Sequence, residues 1–336
     1  MKFRENIALA HFSNYKIGGP ARFFFAPKNE REVAWAVREA RAAKLPVFVL
    51  GGGTNLLLSD TGFDGLVIQP AMEAIKFSAG KSAGKKNGVA LVTAGAGVPM
   101  ATLLKEASSR SLSGLQWAGG LPGTLGGAIR GNAGCFGGEI KDVVASVRSL
   151  DMKTGKLVER NARECRFGYR DSIFKKEGTK GAAGEIILSA QLALAKGDKK
   201  EIAATIREKI AHRTKNHPLE HPNIGSIFKN VSLASVHPAA SRKYQAALVS
   251  QSLAFRGSEF SVKTDPFPVI SSAKLISEAG LRGVSFGGAQ ISAKHPNFIV
   301  NALGASAMDV QNLIALAKAE VKKKFGVKLE EEVQIV

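Results

Sequence analysis

The chain has 336 residues, with 47 Lys plus Arg against 28 Asp plus Glu, a formal net charge of +19. An apolar share of 45 % with 22 % charged residues excludes a disordered chain, and no apolar run is long enough for a membrane-spanning helix. Two cysteines, Cys135 and Cys165, exclude a disulfide framework and a four-Cys zinc site, while the charge leaves nucleic acid and small polyanions both open as partners.

The length allows two or three domains. The first residues, Met1 to Asn6, lack an apolar signal core, so a cytoplasmic location is expected. Phe23-Phe24-Phe25 predicts a short strand closed by Pro27. Glu30 to Lys44 has helical periodicity, with Val33, Val37 and Ala40 on one face and acids in the first turn. Pro46 to Leu50 and Gly65 to Ile68 read as buried strands. Ser78 to Asn87 is polar, lysine-rich and glycine-rich, and predicts an exposed loop. Its Gly80-Lys81-Ser82-Ala83-Gly84 matches the hydrolase elbow only formally, because no strand precedes it and no helix follows. Val89 to Thr93 predicts a strand, and Pro99 opens a helix expected to run through Leu112. Ser146 to Met152 and Leu157 to Glu159 flank the turn Lys153-Thr154-Gly155-Lys156 as a hairpin. Glu185 to Leu194 reads as a strand and Glu201 to Lys215 as a long helix. Residues 231–267 are the least regular stretch and are read as an insertion or long loop, with a short helix as an option and an apolar run near Ala246 to Val249. Ser306 to Asp309 resembles a capping box opening a helix that stops at Gly326, and Lys328 to Val336 predicts a final strand.

Glycine is in excess: 36 residues, about 11 % against the usual ~7 %. Ten of them lie between Gly114 and Gly138, around Gly119-Gly120-Leu121-Pro122-Gly123-Thr124-Leu125-Gly126-Gly127-Ala128 and Asn132-Ala133-Gly134. Two readings stand for this cluster: close packing of small residues, or a backbone that approaches a ligand and offers it N–H groups. Pro122 and the small apolar residues argue against a floppy loop. Gly51-Gly52-Gly53-Thr54-Asn55, directly after a strand, fits a diphosphate cradle as well. Neither G-x-G-x-x-G nor a P-loop occurs, so a large phosphate ligand held in some other way is the reading. His212, His217 and His221 come without H-E-x-x-H or a Cys pair, and no metal site is expected.

In order along the chain, Asn14 to Ala21, Leu50 to Leu57, Gly120 to Ala128 with Asn132 to Gly134, Cys165 to Ser172, Gly225 to Asn230, Ala273 to Ile276, Gly287 to Ala289 and Leu329 to Val333 resemble the UDP-N-acetylenolpyruvoylglucosamine reductase family. The resemblance implies an α/β (α+β) fold: a two-part FAD-binding domain of the vanillyl-alcohol-oxidase/PCMH type plus a C-terminal α+β substrate domain. The expected domains are 1–69, with strand 329–336 returning to the flavin, then 70–212, then 213–328 with the insertion 231–267. Tightly bound FAD and the co-substrate NADPH are implied, with a UDP-sugar substrate, in peptidoglycan precursor synthesis. A monomer is expected, with no nucleic-acid or membrane partner.

The resemblance further assigns roles to residues. Arg170, Ser226 and Glu332 are the expected catalytic residues. Arg170 and Glu332 would stabilise charge pushed onto the substrate carboxylate, and Ser226 would deliver a proton. Flavin contacts are expected from Ile17, Gly51, Gly52, Gly53, Thr54, Asn55, Gly119, Gly120, Pro122, Gly123, Gly126, Gly127, Ala128, Asn132, Ala133 and Gly134. Substrate contacts are expected from Tyr169, Lys215, Asn230 and His295, with Lys215 on the diphosphate. The sequence departs from the family pattern in three places. Residues 231–267 are longer than the usual link, Ala195 to Asp198 leaves no room for the Tyr-bearing loop of some members, and Asn14-Tyr15 replaces a commoner hydroxyl pair. The main alternative is another FAD-dependent oxidoreductase of this architecture acting on a small hydroxy acid or alcohol.

Overall fold

The computed structural model describes residues 1–79, 89–176, 184–236, 250, 252–264 and 267–336. The lysine- and glycine-rich segment at 80–88, with its formal elbow match, and the apolar run at 246–249 lie outside the described residues. The chain forms two compact units. One comprises Met1–Ala8, Pro20–Gly53 and Gly62–Lys215; the other comprises Leu9–Gly19, Thr54–Thr61 and Asn216–Val336.

The first unit holds two sheets. In one, the strands run in the order Arg4–Ala8, Pro20–Phe25, Phe63–Ile68, Val47–Val49, and the last three are parallel. Helix Glu30–Ala42 makes the crossover from Pro20–Phe25 to Val47–Val49, the two parallel strands that flank Phe63–Ile68. Asn29 caps it, its side-chain oxygen accepting from Glu32 N at 3.0 Å, and Val33, Ala36, Val37 and Ala40 form its buried stripe. The second sheet is antiparallel: Leu157–Asn161, Val144–Asp151, Glu185–Lys196, Val89–Gly95, Ile75–Ala79, with Leu112–Ser113 pairing the end of Glu185–Lys196. Glu185–Lys196 buries Ile186, Leu188, Ala190, Leu192 and Leu194, the period-two pattern of a strand. The helix after Pro99 is shorter than expected, Met100–Ser109. Ser111 takes a left-handed φ of 58°, which breaks the helix and lets the buried Leu112 join the sheet.

The second unit is built around helix Ala307–Phe325. Ser306 and Asp309 form the expected capping box, and Gly326 ends the helix at φ 70°. The Asp60 carboxylate accepts from Ala307 N and Met308 N as well, tying the segment after the first glycine loop to this helix. Val310, Leu313, Ile314, Ala317, Val321 and Phe325 face a core that also takes in Tyr15, Ile17 and Leu57. The C-terminal strand is only Gln334–Ile335, paired parallel with Leu56–Leu57, because Glu331 bridges Phe228 instead.

Where the structure describes 231–267, a short helix is present at Leu233–Val236, and the long loop is corrected to a sheet. Val231–Ser232, Val269–Ile270, Ser258–Lys263 and Ser252–Phe255 form one antiparallel sheet. Arg256 (φ 47°) and Gly257 (φ 79°) supply the two left-handed positions of a tight hairpin turn. Phe260 on this hairpin is fully buried and meets Phe325 edge-on at 5.5 Å. The hairpin is therefore part of the second unit's core. Phe260→Ala is expected to cost about 3–5 kcal/mol by chemical denaturation. A loss below about 1 kcal/mol would show that the hairpin is an appendage.

Candidate functional site

In the first unit the two glycine loops meet backbone to backbone. A Cβ at Gly52 would stand 2.8 Å from Gly123 Cα, and one at Gly51 would stand 3.2 Å from Thr124 Oγ1. Gly53 and Gly123 have φ of 63° and 100°, conformations that a side chain would strain. The second loop is fixed from behind. Met100 N donates to Gly123 O, Leu125 N to Val98 O and Gly126 N to Ala96 O, each at 2.9 Å. A Cβ at Gly126 would crowd Ala96. Thr124 caps helix Leu125–Arg130, its hydroxyl accepting from Gly127 N. Gly52, Pro122 and Gly127 are exposed, and Ala128 turns into the core.

Other members of the expected flavin set have packing reasons of their own. Gly119 and Gly120 lie against helix Lys199–Asn216, where a Cβ would come within 2.9 Å of Lys209 Cβ and Arg213 Cδ respectively. Arg213 Nε donates to Gly119 O at 2.9 Å. Ile17 is buried in the second unit's core. Asn132 is fully buried: its amide donates to Gly168 O at 2.8 Å and its oxygen accepts from Lys141 N at 3.2 Å. Ala133 bonds back to Ala128 O, and Gly134 leaves room for Glu139 and Arg170. Arg170 Nη2 donates to Gly134 O at 2.7 Å, and its guanidinium lies 5.5 Å from the Tyr169 ring. Lys215 is exposed in the last turn of its helix.

In the second unit, Ser226 and Glu332 come to neighbouring backbones. Glu332 N donates to Ile227 O at 2.8 Å, and Lys229 N donates to Glu330 O at 2.9 Å. Asn55, expected at the flavin, donates its amide to Glu332 O at 3.2 Å. Asn297, which sequence reasoning missed, holds the Ser226 loop. It accepts from Ile227 N through its backbone and from Phe228 N through Oδ1, and returns Nδ2 to Phe228 O at 2.8 Å. The available signal was an Asn in the Lys294-His295-Pro296-Asn297 turn segment, a type that often bonds backbone. Asn230 accepts from Ser272 N at 3.3 Å. His295 packs on His217 and Phe298, and its buried Nδ1 makes no hydrogen bond among the described residues. Burial, with Lys263 and Arg282 nearby, pulls its pKa down to about 4, so the ring is neutral. Among the described residues no group of three or more His, Cys, Asp and Glu could hold a metal, and no helix is long and apolar enough to cross a membrane.

Residues 21–161 match the FAD binding domain family model, and residues 217–336 match that of the UDP-N-acetylenolpyruvoylglucosamine reductase C-terminal domain. The UDP-N-acetylenolpyruvoylglucosamine reductase of Prochlorococcus marinus is 35 % identical over 99 % of this chain and 98 % of its own. That of Carboxydothermus hydrogenoformans is 38 % identical over 99 % of this chain and 93 % of its own. The crystal structure of the Thermus caldophilus UDP-N-acetylenolpyruvylglucosamine reductase superposes with a TM-score of 0.71 at 27 % identity, covering 99 % of each chain.

The neutral His295 has a stability consequence. An unfolded histidine takes up a proton around its ordinary value of 6.5, whereas the folded ring resists until about 4. Between these values the unfolded state binds more protons, so His295 costs the folded protein stability as pH falls through that window. The denaturation midpoint of His295→Gln should therefore fall less than wild type from pH 6.5 to about 4. Parallel pH profiles would overturn this assignment.

Proposed function

Because the chain belongs to the UDP-N-acetylenolpyruvoylglucosamine reductase family, we propose that its first unit holds FAD and that Arg170, Ser226 and Glu332 carry the reduction of UDP-N-acetylenolpyruvoylglucosamine to UDP-N-acetylmuramate. NADPH is the reductant, and the product is a peptidoglycan precursor. The residues fit the flavin: side chains are excluded by contact at Gly52 and Gly123, and the exposed Gly52 and Gly127 offer bare backbone to a diphosphate. Gly51 to Gly53, Pro122, Gly123 and Gly126 to Ala128 would hold it, with Thr54 and Asn55 proposed as further flavin contacts. Gly119, Gly120, Asn132, Ala133 and Gly134 would shape that cradle from behind. Bound FAD, reduced by NADPH, supplies a hydride to C3 of the enol ether.

The protein's own groups handle the charge and the proton. Addition at C3 pushes electron density toward the substrate carboxylate, and the Arg170 guanidinium is the cation for that charge. C2 must then gain a proton, which the Ser226 hydroxyl delivers. A serine hydroxyl is a poor acid alone and needs a relay. Glu332 is the group proposed to assist. The observation that carries this reading is the Glu332 N–H bond to Ile227 O, which sets the acid's segment beside the serine's loop. Tyr169, Lys215, Asn230 and His295 are proposed to contact substrate, with Lys215 on the diphosphate. The enzyme is proposed to act as a cytoplasmic monomer without nucleic-acid or membrane partners, since its nucleotide substrates are small and soluble.

Two measurements test this. The purified protein should be yellow, and Gly52→Ala should lose its flavin on gel filtration, because the Cβ displaces backbone rather than a flexible side chain. Full flavin retention would remove the cradle assignment. Ser226→Ala should slow flavin reoxidation by the enolpyruvyl substrate by about 10²–10⁴, far more than flavin reduction by NADPH. An equal fall in both half-reactions would sink the proton-donor role.

A further inference from the structure

Arg170 has an unusual backbone. It sits in a four-residue turn closed by Gly168 N to Asp171 O at 2.9 Å and Asp171 N to Gly168 O at 3.2 Å. Its φ is +55°, a left-handed value that a branched, bulky or long side chain adopts at a cost and that turns usually give to Gly or Asn. Such a residue persists only where its surroundings over-determine it.

The surroundings here are specific. Asn132 Nδ2 donates to Gly168 O at 2.8 Å, at the start of the turn. Ser172 Oγ donates to Arg130 O at 2.7 Å, immediately after it. Lys175 Nζ donates to the carbonyl of Arg170 itself at 3.0 Å, and the guanidinium donates to Gly134 O at 2.7 Å. Ser172 and Asn132 are both fully buried. Three of these four bonds reach one short segment, Arg130 to Gly134, the direct continuation of helix Leu125–Arg130 that Thr124 starts at the glycine cradle.

We infer that Ser172, together with Asn132, is a positioning residue that fixes Arg170 for the substrate carboxylate by stitching its strained turn onto the segment leaving the flavin cradle. The inference rests on the proposed role of Arg170. It is distinct from a packing role, because a hydroxyl bonded to one carbonyl beside a strained arginine acts through that arginine. Misplacing a catalytic cation by about 1 Å is enough to cost a large part of its effect.

The test is a double-mutant cycle on the flavin-loaded enzyme with Ser172→Ala, Arg170→Ala and both together. Three quantities are read: reoxidation by the enolpyruvyl substrate, reduction by NADPH, and the calorimetric Kd for UDP-N-acetylmuramate. Ser172→Ala should slow reoxidation on the order of tenfold more than it slows reduction, and should weaken product binding. Both effects should vanish in the Arg170→Ala background, since nothing remains to position. Additive losses, or equal loss in both half-reactions, would overturn the positioning role while leaving Arg170's own role standing. If Arg170→Ala alone leaves reoxidation and product binding untouched, both fall. Should Ser172→Ala fail to fold or load flavin, Ser172→Cys, which roughly keeps the side-chain volume and weakens the bond to Arg130 O, enters the same cycle, with the same outcomes deciding.

Discussion

The contact between Gly52 and Gly123 is the constraint on which the first unit's working part depends. With 2.8 Å between a would-be Cβ and the opposing Cα, the two loops touch only because neither carries a side chain. Everything downstream inherits that contact. The second loop is laid down on Ala96 to Met100 by backbone bonds, Thr124 opens a short helix, and the chain leaves it through Arg130 to Gly134. Arg170 is then fastened to that exit segment. Cradle and arginine are joined by a short path: backbone contacts as far as Gly134, then the side chains of Asn132, Ser172 and Arg170 itself.

The second unit solves an equivalent problem with an amide. The Ser226 loop has no full strand partner, so its buried N–H and C=O groups need acceptors and donors from elsewhere. Asn297 supplies them from both its backbone and its side chain, on one side of Ile227 and Phe228. The Glu330 to Glu332 segment supplies the other side. Leaving any one of these buried groups unsatisfied costs about 1–3 kcal/mol, more than an exposed ion pair returns. The seating of Ser226 thus rests chiefly on buried neutral groups, with the Lys229–Glu330 ion pair joining the same two segments at the surface.

Legibility in the sequence followed the range of the signal. Helix Ala307–Phe325, the hairpin Val144–Asp151 with Leu157–Asn161, and helix Glu30–Ala42 were readable because cap, turn and apolar stripe lie within a few residues of one another. The glycine loops were readable as a pair of candidates, but their mutual contact was not, since nothing local distinguishes a glycine facing a ligand from one facing Lys209 or Arg213. Asn132 illustrates the same limit: an asparagine inside a glycine-rich segment, expected at the flavin, turns inward to satisfy Gly168 O. The hairpin at Ser252–Phe255 and Ser258–Lys263 was missed because its strands are short and mixed in polarity. Only Leu253, Phe260 and Val262 are buried, and Phe260 gains its meaning from Phe325, far away in sequence.

The excess of positive charge is a weaker guide to the site than the partners of individual cations. Many basic groups are spent on carboxylates: Arg148 on Glu30, Arg160 on Glu185, Lys318 on Glu331. Arg213 is held differently, by the Gly119 carbonyl, the Cys135 sulfur and the Phe136 ring. Burial pushes the Cys135 thiol up, outweighing the opposite pull of Arg213, so that sulfur is neutral too. A guanidinium anchored by neutral groups is fixed in place without being discharged, and it keeps its field for an anion that arrives later. How each cation is held is a property of its own few contacts, and a formal total of +19 does not report it.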